Sequence, residues 1–161
     1  MKKILLIILL MLSVKAFPQT VKTVKFEQLQ SLISNEKEKL LVLNFWATWC
    51  GPCVKELPLF KRLSQEYKDK SVRVVFVSLD YPEKIEKTLK PFLKKNGITA
   101  EVVVLDEPNA NKWIDKVDPS WQGSIPATLI VNPRDNTTKF FEKEFTSYEE
   151  IESIIKTILK L

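Results

Sequence analysis

Apolar and polar positions along the chain switch between two periods, and the switching predicts a succession of strands and helices. Phe26, Leu29, Leu32 and Ile33 recur three or four apart, so Phe26–Ile33 reads as an amphipathic helix. Leu40–Trp46 (LLVLNFW) and Val72–Leu79 (VRVVFVSL) are short, almost unbroken apolar runs, as expected of strands buried on both faces of a parallel sheet. Between them, Val54, Leu57, Phe60 and Leu63 mark a helix over Cys53–Tyr67. Ile85–Lys95 is helical in pattern but holds Pro91, which predicts a kink or break, and Gly97 ends it. Glu101–Leu105 predicts a third strand and Ala110–Val117 a short helix. Ala127–Val131 and Thr138–Glu142 predict two more strands around the turn Asn132-Pro133-Arg134-Asp135-Asn136. Ile151, Ile154, Ile155, Ile158 and Leu159 mark a closing amphipathic helix. No repeat, linker or second domain interrupts the series, which implies one α/β domain with helices on both faces of its sheet.

Residues 1–16 follow a different rule. Lys2 and Lys3 precede eleven nearly all-apolar residues, Ile4–Val14, and Val14-Lys15-Ala16 supplies a cleavage-type ending. This order predicts a secretory signal peptide, cleaved between Ala16 and Gln19, ahead of a domain over residues 17–161. An uncleaved membrane anchor is the minor alternative, because spanning hydrocarbon takes about 20 apolar residues. The expected location is therefore across the inner membrane, in a periplasmic or other extracytoplasmic space.

The full chain of 161 residues carries a formal charge of +5, from 25 Lys plus Arg against 20 Asp plus Glu. Removing residues 1–16 takes three Lys and no acid, leaving 22 basic and 20 acidic residues, so no basic face for nucleic acid is expected. The chain has no His, which excludes a His-based triad or general base. It has two Cys, too few for a disulfide-stapled scaffold.

Those two Cys carry the candidate chemistry, as Trp49-Cys50-Gly51-Pro52-Cys53 where a strand runs into a helix. Such a junction lies at the carboxyl edge of the sheet, where α/β folds keep their sites. The first Cys is expected at the helix N-terminus facing solvent, and the second one turn inside and shielded. Unpaired N–H groups and the helix dipole favour a thiolate on Cys50; lowering its pKa from about 8.5 to about 7 corresponds to roughly 2 kcal/mol. Cys53 can then resolve a mixed disulfide by intramolecular attack. Pro52 suits the first turn because its missing N–H costs no helical bond. A zinc or iron–sulfur site needs further Cys or His ligands that the chain lacks, so no metal is expected. A static structural disulfide would close too short a loop to add much stability.

Phe45-Trp46-Ala47-Thr48-Trp49-Cys50-Gly51-Pro52-Cys53 resembles the active-site stretch of the thioredoxin superfamily. Pro58 matches that family's helix-kinking proline, and Ser124-Ile125-Pro126-Ala127-Thr128 resembles its cis-proline loop. The resemblance runs from about Phe26 to the C-terminus. The leader, the sequence continuing to Glu56-Leu57-Pro58 and a helix–strand insertion at about 83–105 are similar to the TlpA/ResA-like branch. The resemblance implies a thioredoxin-like fold with a central mixed sheet, and an extracytoplasmic thiol–disulfide oxidoreductase that works as a monomer without a bound organic cofactor. It implies disulfide-containing protein substrates and a membrane-linked thiol electron donor. Cys50 and Cys53 would be catalytic, and Ile125 and Pro126 would hold substrate through a β-type backbone contact. Three competitors are the same dithiol run as an oxidase or isomerase, a non-catalytic binding module, and a peroxide reductase, whose threonine-containing nucleophile motif is absent.

Asn44 stands where thioredoxins carry a buried Asp, and an amide cannot carry a proton. Asp80, at the end of a strand, is the nearest replacement acid, with Glu83 second; a turn or cap before Tyr81-Pro82 is the other role open to Asp80. Glu56, three residues after Cys53 on the same helix, is expected on a solvated helix face, with tuning of the site as the other role open to it. Trp49 is expected to shield the Cys pair and present a flat surface, and Trp46 to be structural. Trp113 and Trp121 are open to either a core or a substrate-facing role, and Lys84–Lys95 is expected to be a solvated helix face.

Overall fold

The apolar run Leu40–Trp46 (β2) is fully buried at the centre of a six-stranded mixed sheet. The computed structural model describes residues 20–37, 39–68 and 71–161, so the segment read as a signal peptide lies outside the described residues. The other strands are Val21–Val24 (β1), Val72–Ser78 (β3), Glu101–Leu105 (β4), Ala127–Asn132 (β5) and Thr137–Phe141 (β6). Their order is β1-β4-β3-β2-β5-β6. The first four in that order run parallel, and β5 and β6 run antiparallel to their neighbours. The helices are Phe26–Asn35 (α1), Gly51–Glu66 (α2), Lys90–Lys95 (α3), Ile114–Val117 (α4) and Tyr148–Leu159 (α5).

Side chains alternate across β2 and feed two cores. Leu40, Val42 and Trp46 pack with Leu57, Phe60, Leu63, Leu93 and Ile155 from α2, α3 and α5. Leu41, Leu43 and Phe45 face Phe26 and Leu29 of α1 together with Trp113 and Trp121. Both tryptophans are therefore core: Trp121 lies 4.8 Å from Phe45 and 5.3 Å from Trp113 between ring centroids. Trp46 is likewise structural, fully buried beside Phe76 and Phe92.

Two elements depart from the sequence pattern. β1 is too short and too polar (VKTV) to announce itself, yet it pairs with Val102–Leu105, and Asp106 N–H donates to the Val24 carbonyl at 2.9 Å. The expected helix over Ile85–Lys95 is a 3₁₀ turn at Pro82–Lys84, a π-helical turn at Ile85–Leu89 and then α3. The Pro91 ring would collide with the residue-87 carbonyl of an unbroken α-helix, and the wider π turn ahead of it removes that conflict. Lys84, Lys87, Lys94 and Lys95 are exposed on this segment.

Candidate active site

β2 ends at Trp46, a turn follows through Ala47–Trp49, and α2 begins at Gly51. Cys50 is the residue that caps α2, and its Sγ accepts the Cys53 N–H at 3.3 Å. This puts the Cys50 sulfur on the unpaired donors of a 16-residue helix, the location that favours negative charge on sulfur. Gly51 and Pro52 form the exposed first residues of the helix. Cys50 and Cys53 are joined in a disulfide, with Cα atoms 5.3 Å apart.

The two sulfurs differ in access. Cys53 is fully buried, whereas Cys50 keeps 6% of its surface. Cys50 is thus more covered than its place at the helix start suggests, because the loop before β5 lies across it, with Sγ 3.7 Å from the Ile125 carbonyl oxygen. Trp49 is 67% exposed, so an aromatic face stands in solvent in the residue before Cys50.

The covering loop is built by residues far apart in sequence. The Ile125–Pro126 peptide bond is cis. Trp121 Nε1 donates to the Ser124 carbonyl at 2.8 Å, anchoring the loop to the aromatic core. Glu142, just past β6, accepts the backbone N–H of Gln122 at 2.9 Å and of Ser124 at 2.7 Å. Desolvation opposes its charge, but these N–H donors hold the Glu142 carboxyl below the usual range. Gly123 between the two donors has φ +94°, a conformation that L side chains rarely adopt, and an added Cβ would meet Ile114 at 3.2 Å. Nothing local in the sequence marks Glu142 as a clamp, since its partners lie 18 and 20 residues away.

Asp80 is buried just past β3 and holds the turn that leads into Cys50. Its carboxylate accepts from Thr48 N–H at 3.0 Å, from the Thr48 hydroxyl and from the Ser78 hydroxyl at 2.8 Å. Glu83 is exposed.

Glu56 overturns the expectation of a solvated residue. It is fully buried on α2, three residues after Cys53 and so on the same helix face. Glu56 Oε1 accepts from Asn44 Nδ2 at 2.8 Å, and Oε2 accepts from Phe145 N–H at 2.8 Å. Burial pushes its pKa up to about 7; the Phe145 and Asn44 donors pull the other way, and nearby Glu144 adds to the rise. A helical Glu ordinarily reads as solvated, and only tertiary structure shows the segment before α5 closing over it, with a partner 89 residues on. The site therefore joins a nearly covered cysteine at the helix cap, a fully buried cysteine one turn on and a buried acid whose pKa is pushed up to about 7. Among the described residues, no group of three or more His, Cys, Asp or Glu side chains is placed to hold a metal ion.

Comparison with known proteins sets this geometry in a lineage. The AhpC/TSA family pattern matches residues 13–139. Thioredoxin-like protein YneN of Bacillus subtilis is 37% identical over 100 residues, which are 55% of this chain and 57% of that protein. Thiol-disulfide oxidoreductase ResA of Halalkalibacterium halodurans is 28% identical over 120 residues, 73% of this chain and 63% of the relative. The chain thus spans less than two thirds of the length of these relatives. A thioredoxin-related protein from Neisseria meningitidis superposes with a TM-score of 0.65 at 24% identity, over 79% of this chain and 90% of that structure, which establishes a thioredoxin-like fold.

Proposed function

The chain belongs to the AhpC/TSA family of thioredoxin-like proteins, and from that premise we propose that it is an extracytoplasmic thiol–disulfide oxidoreductase that reduces protein disulfides. The observation that supports this function is the unequal burial of the two cysteines: Cys50 keeps 6% of its surface and Cys53 none, so Cys50 is the residue assigned to meet an outside disulfide. The relatives named ResA are thiol-disulfide oxidoreductases by name, which supports the reaction class.

In the reduced protein the Cys50 thiolate attacks one sulfur of a substrate disulfide and expels the other as a thiolate, leaving a mixed disulfide at Cys50. Ile125 and Pro126 hold the substrate backbone beside it. Cys53 passes its proton to the Glu56 carboxylate and, as a thiolate, attacks Cys50 Sγ. The Cys50–Cys53 bond forms, the second substrate sulfur leaves as a thiolate, and the Glu56 proton passes to that departing thiolate, which restores the carboxylate. The substrate gains two electrons and the dithiol loses two. A carboxyl that titrates near 7 suits such a proton carrier at neutral pH. Asp80 keeps Cys50 in place by tying down Thr48, and Trp49 offers the substrate an apolar face. A membrane-linked dithiol donor returns the two electrons by the same exchange, since an oxidising compartment does not restore the dithiol. Residues 1–16 act as the secretory signal, and the mature domain works as a monomer.

Cys53→Ser removes the resolving sulfur and, once its Cys50 is reduced, should hold the substrate as a mixed disulfide at Cys50, identifiable by mass spectrometry after reaction with disulfide-bonded insulin. Recovery of no adduct from the folded, pre-reduced variant would overturn the mechanism. A reduction potential near about −270 mV is expected for the reductant, whereas a value near about −120 mV would reverse the direction.

A further inference from the structure

Asn44 sits in the middle of β2 with its side chain fully buried, where thioredoxins place an acid. Its Nδ2 donates in two directions, to Glu56 Oε1 at 2.8 Å and to Thr128 Oγ1 at 3.2 Å. Among the described residues its Oδ1 has no hydrogen-bond partner. Asn44 and Thr128 are register partners across β2 and β5, and Thr128 lies two residues beyond Pro126.

An unpaired buried carbonyl costs free energy, so its survival beside a titrating acid asks for a reason. Ionised Glu56 needs donors and has two, Asn44 Nδ2 and Phe145 N–H. Protonated Glu56 keeps Phe145 on one oxygen and needs an acceptor for the new O–H on the other. A half-turn of the Asn44 amide supplies it. Oδ1 then takes the place of Nδ2 and accepts from the Glu56 O–H and from the Thr128 hydroxyl, which changes from acceptor to donor. The vacated side trades an unpaired carbonyl for an unpaired NH₂, so neither orientation is favoured strongly there. An ionised Asp at this position could offer acceptors only, and an apolar residue neither role.

We propose that Asn44 and Thr128 are a reversible positioning pair for Glu56, holding it in one place whether or not it carries a proton. Its use in resolution rests on the function proposed above: the Cys53 proton moves to the Glu56 carboxylate, and the amide turn moves no proton itself. The titratable groups facing the pair are Glu56 from α2 and Glu144 from the segment ahead of α5; Cys53, held in the disulfide, does not titrate in the oxidised protein. Thr128 from β5 and the Phe145 N–H add no charge.

The test is an NMR titration of the oxidised wild-type protein from pH 5 to 9, following the Glu56 carboxyl carbon and the Asn44 side-chain amide. The Asn44 amide signals should shift with the same midpoint as Glu56, and Asn44→Asp should raise the proton affinity of Glu56 by about tenfold or more. Asn44 signals that stay flat through the Glu56 titration would overturn the pair, and so would an Asn44→Asp protein with unchanged Glu56 affinity. If Asn44→Asp does not fold, the wild-type titration decides alone. Insulin reduction by the same wild-type sample separates the two claims. Coupled titration without reduction rejects the proposed function and keeps the pair, whereas reduction with flat Asn44 signals rejects only the pair.

Discussion

Cys50→Ser is expected to abolish reduction of insulin disulfides by dithiothreitol-supplied protein, a loss on the order of a thousandfold or more. A serine hydroxyl neither ionises near neutral pH nor forms a bond that a second thiol can exchange, so both halves of the cycle stop at once. Cys53 cannot take over, because it is fully buried behind the first sulfur. The fold should survive the change. The disulfide closes a loop with a sequence separation of 3, too short to restrain the unfolded chain much. A non-catalytic binding module would show the opposite pattern, with wild type and Cys50→Ser equally inactive and equally able to bind. Insulin turbidity after equal loading of the two proteins reads the difference directly.

Glu56→Gln should change both stability and rate, with opposite dependence on the proton. The folded pKa of about 7 lies above the unfolded value of 4.5, so folding favours the protonated acid. The resulting stability is complete below the unfolded value and is lost as pH rises through the folded one. The span corresponds to about 3 kcal/mol. Gln cannot ionise and should not show this loss. Urea unfolding of the oxidised proteins at pH 4.5 and pH 8 should find wild type losing about 3 kcal/mol relative to Glu56→Gln between them. Parallel stability curves would contradict a raised Glu56. In catalysis the same substitution removes the proton acceptor of Cys53, and resolution of the mixed disulfide at neutral pH should slow by about a hundredfold. The first attack, made by Cys50, should be nearly unchanged.

What the sequence discloses and what it hides divide along the range of the interactions. Leu40–Trp46 and Val72–Ser78 announce themselves because strands buried on both faces need unbroken apolar runs. The Cys50–Cys53 spacing, Pro52 in the first turn and the strand–helix junction are local, and all are legible. β1 is hidden because an edge strand of four residues, with Lys22 and Thr23 at its middle, looks like a connection. The Pro91 break is foreseen, but its form as a π turn depends on how the neighbouring turns share the displaced carbonyl. Glu56 is misread for a clearer reason. Its burial is created by Phe145, Asn44 and the segment before α5, none of which a helical wheel contains. Glu142 escapes in the same way, since its clamp on the Gln122–Ser124 backbone exists only after β6 has paired with β5. Trp113 and Trp121 are ambiguous as letters and settle as core once Phe45 is known to pack against both.

The unequal access of two neighbouring sulfurs is tested most directly by alkylating the freshly reduced protein with iodoacetamide under native conditions and mapping the product by mass spectrometry. One label per chain is predicted, on Cys50, with Cys53 modified only after the protein is unfolded. Equal labelling of both residues, or earlier labelling of Cys53, would contradict the account.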